Sequence, residues 1–204
     1  MNLDNIEPFS FKYLIETKQI LSILEYDKIE KLAQALSNIA KNNGRLFIIG
    51  VGGSAATASH AVNDFRKICN IEAYAPTDNV AELTAITNDE GWQWTFCHWL
   101  RRSHISKNDA LLVFSVGGGD YKKNISTNII NAIDLAIAHN TKVFGIVGKG
   151  DGYTARYSDI CIIIPPLYEE RITFHTEGIS GIILHLLVSH PVLQVNKTKW
   201  EISK

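Results

Sequence analysis

Several things are scarce in this chain, and each scarcity removes a class of protein. Cysteine occurs three times in 204 residues, as Cys69, Cys97 and Cys161, far apart and with no CxxC pair. That spacing excludes a disulfide scaffold and fits a reducing, cytoplasmic compartment, with Cys69 and Cys161 expected to be buried as small hydrophobes. Charge of one sign is also lacking: 20 Lys+Arg stand against 21 Asp+Glu, a net charge of -1. A nearly balanced surface offers no electrostatic case for nucleic acid or a membrane as partner. No apolar run approaches the ~20 residues that span a bilayer. The opening MNLDNIEPFSFKYLIETK carries acids early and does not read as a signal peptide. No internal repeat or low-complexity tract interrupts the chain. Hydrophobic residues make up 46% and charged residues 20%, so a substantial core can be buried and wholesale disorder is excluded.

What is present alternates between two periods. Residues 9–24 place Phe11, Leu14, Ile15, Leu21 and Leu24 at helical spacing, and residues 27–42 do the same with Ile29, Leu32, Leu36 and Ile39. Asn42-Asn43-Gly44 ends the second helix. Then comes Arg45–Val51, an apolar run ending at glycine, which reads as a strand buried on both faces. Similar runs recur at 110–116, 142–147 and 160–164, the last closed by Pro165-Pro166, with a shorter one at 71–75. Helical patterns at 54–68, 79–86, 92–102, 122–139 and 176–189 separate them. Strands alternating with helices imply right-handed βαβ units. The expected architecture is α/β: a five-stranded parallel sheet flanked by helices. Residues 1–43 form an N-terminal helical extension, packed on the domain or on other subunits. Residues 44–195 form the domain and 196–204 a tail.

In such a sheet, ligands sit beyond the carboxyl ends of the strands, and the polar residues gather there. Gly50-Val51-Gly52-Gly53-Ser54 joins a strand to a helix. It is either a tight βα turn or an anion cradle, with Ser54 as N-cap or as a hydroxyl donor to phosphate. Ala55 stands where a GxGxxG motif needs its third glycine, and no Gly-Lys-Ser/Thr follows, so dinucleotides and nucleoside triphosphates are disfavoured. The following helix sets His60 and Asp64 one turn apart, a spacing that suits two metal ligands, a base with its partner, or an exposed pair. The last helix aligns Glu177, Gly181 and His185 on one face, and His175 just before Glu177 can face the same cleft. Ser115-Val116-Gly117-Gly118-Gly119-Asp120 carries three consecutive glycines, which suits a backbone nest for an anion, although the Asp120 carboxylate would repel one. Asn88 and Asp89 lie in a polar turn, either capping the next helix or hydrogen-bonding a sugar hydroxyl. Trp92, Trp94 and Trp99 read as packing or interface residues.

Taken together, the glycine-Ser54 loop, His60 with Asp64, Asn88-Asp89, the loop from Ser115, and Glu177 with His185 resemble the SIS (sugar isomerase) domain family, of the phosphoheptose isomerase type, over about residues 10–190. The resemblance implies a flavodoxin-like or Rossmann-like sandwich. It implies aldose–ketose isomerisation of sedoheptulose 7-phosphate to D-glycero-D-manno-heptose 7-phosphate through a cis-enediol. Asp64 would be the general base and His185 its acid/base partner. Zinc, found in some members, would be held by His60, Asp64, Glu177 and His185. Substrate and phosphate would be bound by Gly52, Gly53, Ser54, Asn88, Asp89, Ser115, Gly117, Gly118, Gly119, Asp120, His175 and Glu177. The resemblance further implies a cytoplasmic homotetramer with sites at subunit interfaces.

The chain departs from that family in three places. Asp64 replaces the usual Glu and is one methylene shorter. Glu177 replaces a frequent Gln and adds a charge. The Ser-Thr-Ser-Gly-Asn-Ser phosphate loop has become Ser115–Asp120, which removes three hydroxyl donors worth roughly 1.5–3 kcal/mol each toward a charged acceptor. A second reading is therefore a non-catalytic SIS module that binds a sugar phosphate or a protein partner.

Overall fold

The computed structural model describes residues 8–203. Five parallel strands form one sheet in the order β2-β1-β3-β4-β5, where β1 is Leu46–Ile49, β2 Ala73–Tyr74, β3 Ala110–Ser115, β4 Lys142–Val147 and β5 Ile160–Ile163. The parallel α/β architecture expected from the alternating runs is the one found. β1 and β3 are buried at every position, as strands covered on both faces must be. The expected strand at 71–75 shrinks to two residues at the sheet edge, paired only through Leu46↔Ala73 and Phe47↔Tyr74.

Two helical layers cover the sheet. One comprises α2 (Tyr26–Lys41), α3 (Gly53–Lys67) and α8 (Ile172–Val188), whose Leu32, Leu36, Ala61, Phe65, Ile183 and Leu187 pack on Leu46, Ile48, Leu112 and Phe114. The other comprises α4 (Val80–Glu90), α5 (Thr95–Arg102) and α6 (Thr127–Ala138), whose Ile86, Phe96, Leu100 and Ile133 pack on Phe47, Ile49, Leu111 and Val113. Each fully buried Phe, Leu or Ile contributes about 1.5–3 kcal/mol of transfer free energy. A short α7 (Tyr153–Tyr157) follows β4, and α9 (Lys199–Ile202) lies in the tail. The three thiols are free and buried. Burial pushes Cys69 up to about 12 and Cys161 up to about 11, so neither is available as a thiolate.

Several boundaries differ from the sequence reading, each for a physical reason. α4 runs on to Glu90 and stops at Gly91, where φ is 94°. Asn88 and Asp89 thus lie in its last turn rather than capping the next helix. Its N-cap is Asn79, whose side chain accepts from the Glu82 N–H. The helix expected from residue 122 starts at Thr127 because Asn124 and Ser126 adopt left-handed backbone (φ 55° and 51°). Residues 120–125 instead form a small excursion closed by the Asp120↔Ile125 bridge. α8 begins four residues early, which draws His175 into its first turn.

α1 (Phe9–Ser22) differs most. Its expected stripe is split, with Phe11, Leu14 and Ile15 exposed but Leu21 half-buried and Leu24 buried, and Glu16 and Ile20 buried instead. An ionic contact sets the rotation of the helix. The Arg171 Nε and Nη2 donate to the two Glu16 carboxylate oxygens, both at 2.8 Å, and His175 Nε2 lies 2.9 Å from Oε2. Tyr13 stacks on the His175 ring at 4.5 Å. A second buried carboxylate, Asp109, joins the starts of β1 and β3. It accepts from the Arg45 backbone N–H, from Arg45 Nε and Nη2, and from the Ser106 N–H and hydroxyl.

Hydrogen bonds from Arg171 and then His175 outweigh desolvation and pull the Glu16 carboxyl down to about 2 from its usual 4.5. A depressed carboxyl stabilises the fold above its unfolded value and loses that contribution as pH falls toward the folded value. The midpoint of denaturant unfolding is therefore expected to fall between about pH 4.5 and pH 2, with a shallower slope in Glu16→Gln; parallel slopes would contradict the assignment. Asp109→Ala strands the partly buried Arg45 and is expected to cost about 2–4 kcal/mol in the same titration.

Candidate active site

The glycine turn after β1 aims α3. Gly52 has φ 64°, a conformation that L side chains avoid, and a Cβ on Gly50 would lie 2.4 Å from the Ser54 carbonyl oxygen. The turn therefore has to be glycine to begin a helix this close to the strand end. Ser54 then sits buried in the first turn of α3 rather than at its N-cap, which is Gly52. The Gly53 and Ser54 N–H groups make no hydrogen bond within the described chain, and they carry the positive end of the helix dipole.

α3 packs against α8 with both helices running in the same direction. Ala58, Ala61, Val62 and Phe65 of α3 and Ile179, Ile183, Leu184 and Leu187 of α8 are buried in one core. The polar face beside that seam gathers the chemistry. Asp64 is 8% exposed. Its Oδ1 accepts from Asn63 Nδ2 at 2.9 Å, and its Oδ2 lies 3.1 Å from His60 Nε2 and 3.8 Å from His185 Nε2. The two imidazoles meet edge to face at 5.1 Å. Their side chains are 51% and 61% exposed, so one chain leaves this cluster open on its surface.

One donor atom from each of His60, Asp64 and His185 lies within 4.8 Å of the others, an arrangement that could hold a metal ion. Ligand atoms at ~2.05 Å around a tetrahedral zinc stand about 3.3 Å apart, so the 3.1 and 3.8 Å spacings need little adjustment. Glu177 is not in this group. Eight residues before His185, it lies about 12 Å away along the helix axis. Its carboxylate covers Gly53, close enough that a Cβ there would stand 2.4 Å from Oε2. It thus faces the opening of α3, where a negative charge is favoured.

The loop after β3 is held from behind. Gly118 and Gly119 have φ of 71° and 86°. Thr154 donates both its N–H and its hydroxyl to the Gly118 carbonyl, each at 2.8 Å, and the Tyr153 N–H donates to the Gly119 carbonyl. The buried Ser115 hydroxyl accepts from the Gly118 N–H at 3.0 Å. The Gly117 and Gly119 N–H groups remain unspent among the described residues. Asp120 is turned into the excursion: its Oδ1 accepts from the Lys123 N–H, which with the lysine charge holds the carboxyl below its ordinary range.

His60, Asp64 and His185 are thus brought together, with Glu177 at the Gly53 end of the same seam. The glycine loops at the ends of β1 and β3 lie at the carboxyl edge of adjacent strands. His175 is turned away, buried against Glu16. Asn88 and Asp89 hydrogen-bond each other on exposed α4, in the layer on the opposite face of the sheet. Two residues were missed in the sequence. Asn63, beside Asp64, offered a local clue as a neighbouring amide. Thr154 offered none, because its partner is 36 residues away.

Comparison with known proteins bears on this geometry. The chain is 27% identical over 191 residues to the phosphoheptose isomerase of Aliarcobacter butzleri, covering 90% of this chain and 93% of that one. It is 30% identical over 178 residues to the phosphoheptose isomerase of Buchnera aphidicola subsp. Schizaphis graminum, covering 84% and 87%. The solved structure of the phosphoheptose isomerase GmhA from Neisseria gonorrhoeae superposes with a TM-score of 0.75 at 25% identity, over 88% of this chain and 93% of that one. The family model described as SIS domain matches residues 12–148, and with that match over most of its length this chain belongs to the SIS domain family.

Proposed function

We propose that this chain interconverts sedoheptulose 7-phosphate and D-glycero-D-manno-heptose 7-phosphate. The observation that carries the proposal is the meeting of Asp64 with His60 and His185 across the α3–α8 seam, in a chain similar to phosphoheptose isomerases over 84–90% of its length. In the ketose-to-aldose direction, Asp64 removes a proton from C1, beside the C2 carbonyl. His185 donates a proton to O2, giving the cis-enediol, and takes one from O1 as the C1 aldehyde forms. Asp64 returns its proton to C2. Each group ends as it began, as general acid–base catalysis requires. Asn63 holds one Asp64 oxygen and leaves the other facing the two imidazoles.

The unspent N–H groups of Ser54, Gly117 and Gly119 are the donors for the phosphate, while Gly53 is covered by the Glu177 carboxylate. Backbone amides therefore take over from the missing hydroxyls, and Asp120, committed to Lys123, adds little repulsion. Two imidazoles and a carboxylate would suit zinc, held by His60, Asp64 and His185 with the fourth position left open; bound there it would polarise the sugar oxygens. The exposed histidines, together with exposed Phe11, Leu14 and Ile15 on α1 and Ile182 and Leu186 on α8, support a homotetramer in which neighbouring copies close the site. Three free thiols support a cytoplasmic setting; no described helix is long and apolar enough to cross a membrane.

Purified protein is expected to convert sedoheptulose 7-phosphate to the aldose. Asp64→Asn should lower kcat by about 10²–10⁴-fold with an unchanged melting temperature. No turnover by the metal-replete wild type across a panel of phosphosugars would remove the proposal and favour a binding module. In dialysis against zinc, His60→Ala is expected to weaken retention by at least the ~10–100-fold that loss of a supporting partner costs. Zinc binding unaffected by His60→Ala would exclude this cluster as the metal site.

A further inference from the structure

A second cleft lies on the opposite face of the sheet from the histidines, between the turn that precedes α5 and the start of α6. It measures about 510 Å³ and is lined by Gln93, Trp94, Tyr121, Asn124, Thr127 and Asn131. None of the six carries a charge. Tyr121 is 72% exposed, and Trp94 is 40% exposed with its ring stacked on His98 at 5.8 Å, which fixes the indole and leaves part of its aromatic surface to solvent. Asn131 Nδ2 donates to the Gln93 carbonyl at 2.8 Å, which braces one wall and leaves its own side-chain oxygen free. The Gln93 and Asn124 amides and the Thr127 and Tyr121 hydroxyls make no side-chain hydrogen bond among the described residues. Asn124 is held in left-handed backbone (φ 55°) by the excursion that interrupts the glycine loop.

We infer that this cleft binds an uncharged sugar ring, distinct from the phosphorylated substrate. The chemistry of the lining selects that class. An aromatic face suits the C–H face of a pyranose, since its amphipathic body tolerates a partly wet, partly apolar partner. Planar amides offer a donor and an acceptor side by side and so match adjacent hydroxyls. A phosphate or carboxylate would find no cation among these six, whereas the neighbouring cleft beside α7 is lined by charges of both signs, Lys122 and Arg156 with Asp120 and Asp151. The volume falls within the range of ordinary small-ligand pockets. Tyr121 and Asn124 belong to the excursion after the β3 loop and Thr127 opens α6, so an occupied cleft borders that loop from the α5–α6 side.

The test is saturation-transfer NMR on the full-length protein with three neutral probes at millimolar concentration: the methyl α-pyranosides of glucose, mannose and galactose. The expected result is transfer to the ring protons of at least one probe. Trp94→Ala and Tyr121→Ala should each weaken binding by about tenfold or more, while Asp64→Asn leaves it unchanged. Both aromatic side chains are solvent-exposed, and an unchanged melting temperature checks the fold. Absence of transfer from all three probes overturns the inference, as does transfer that survives both aromatic substitutions. Loss of transfer in Asp64→Asn would assign the sugar to the histidine cleft and overturn it equally. None of these outcomes depends on whether sedoheptulose 7-phosphate is turned over.

Discussion

The parallel packing of α3 on α8 is the constraint on which the chemistry depends. Buried alanines and aliphatic side chains fix the register of the two helices, and that register sets the Asp64 oxygen 3.1 and 3.8 Å from two imidazoles. The seam starts at a glycine turn and runs outward from the strand ends, so the same geometry that aims α3 also exposes its first N–H groups. The carboxylate–imidazole cluster and the free N–H groups of α3 are thereby laid out along one line, with the Glu177 carboxylate at the Gly53 end and the histidines at the other. A rotation of α8 by one residue, about 100°, would carry His185 off this line while leaving most of the apolar burial intact.

Other parts of the molecule support that line from outside. The Glu16–Arg171–His175 contact pins α1 to the first turn of α8, so the N-terminal helix bears on the same element that carries His185. Its outward apolar face is left for another surface to cover. The loop after β3 is clamped from behind by Thr154 and Tyr153, which directs its carbonyls inward and frees two of its N–H groups. These preorganised amides are the donors proposed above for the phosphate, since they need no side-chain ordering to meet an anion.

Much of this was legible from residues alone. The continuous apolar runs of β1, β3 and β4 declare a doubly covered parallel sheet, and the glycine turn announces where ligands gather. The His60–Asp64 spacing was visible too, but one turn of helix cannot say what stands opposite. That depends on packing between segments more than a hundred residues apart, and resemblance to a family supplied it. Short-range signals failed where a tertiary contact outweighed them. The α1 stripe at Phe11, Leu14 and Ile15 was overruled by a buried ion pair on its other side. Lys122-Lys123-Asn124 looked like the polar start of a helix, yet left-handed residues at 124 and 126 delay it. Extending α8 backward to Ile172 turned His175 from a cleft residue into a core one.

If Asp64 and His185 act as one unit, their removal cannot be additive. The most direct test is a double-mutant cycle on kcat/KM for sedoheptulose 7-phosphate with Asp64→Asn, His185→Ala and the pair. The double variant is expected to be no slower than the worse single variant by more than about threefold. Losses that multiply independently would contradict a shared acid–base centre across the α3–α8 seam.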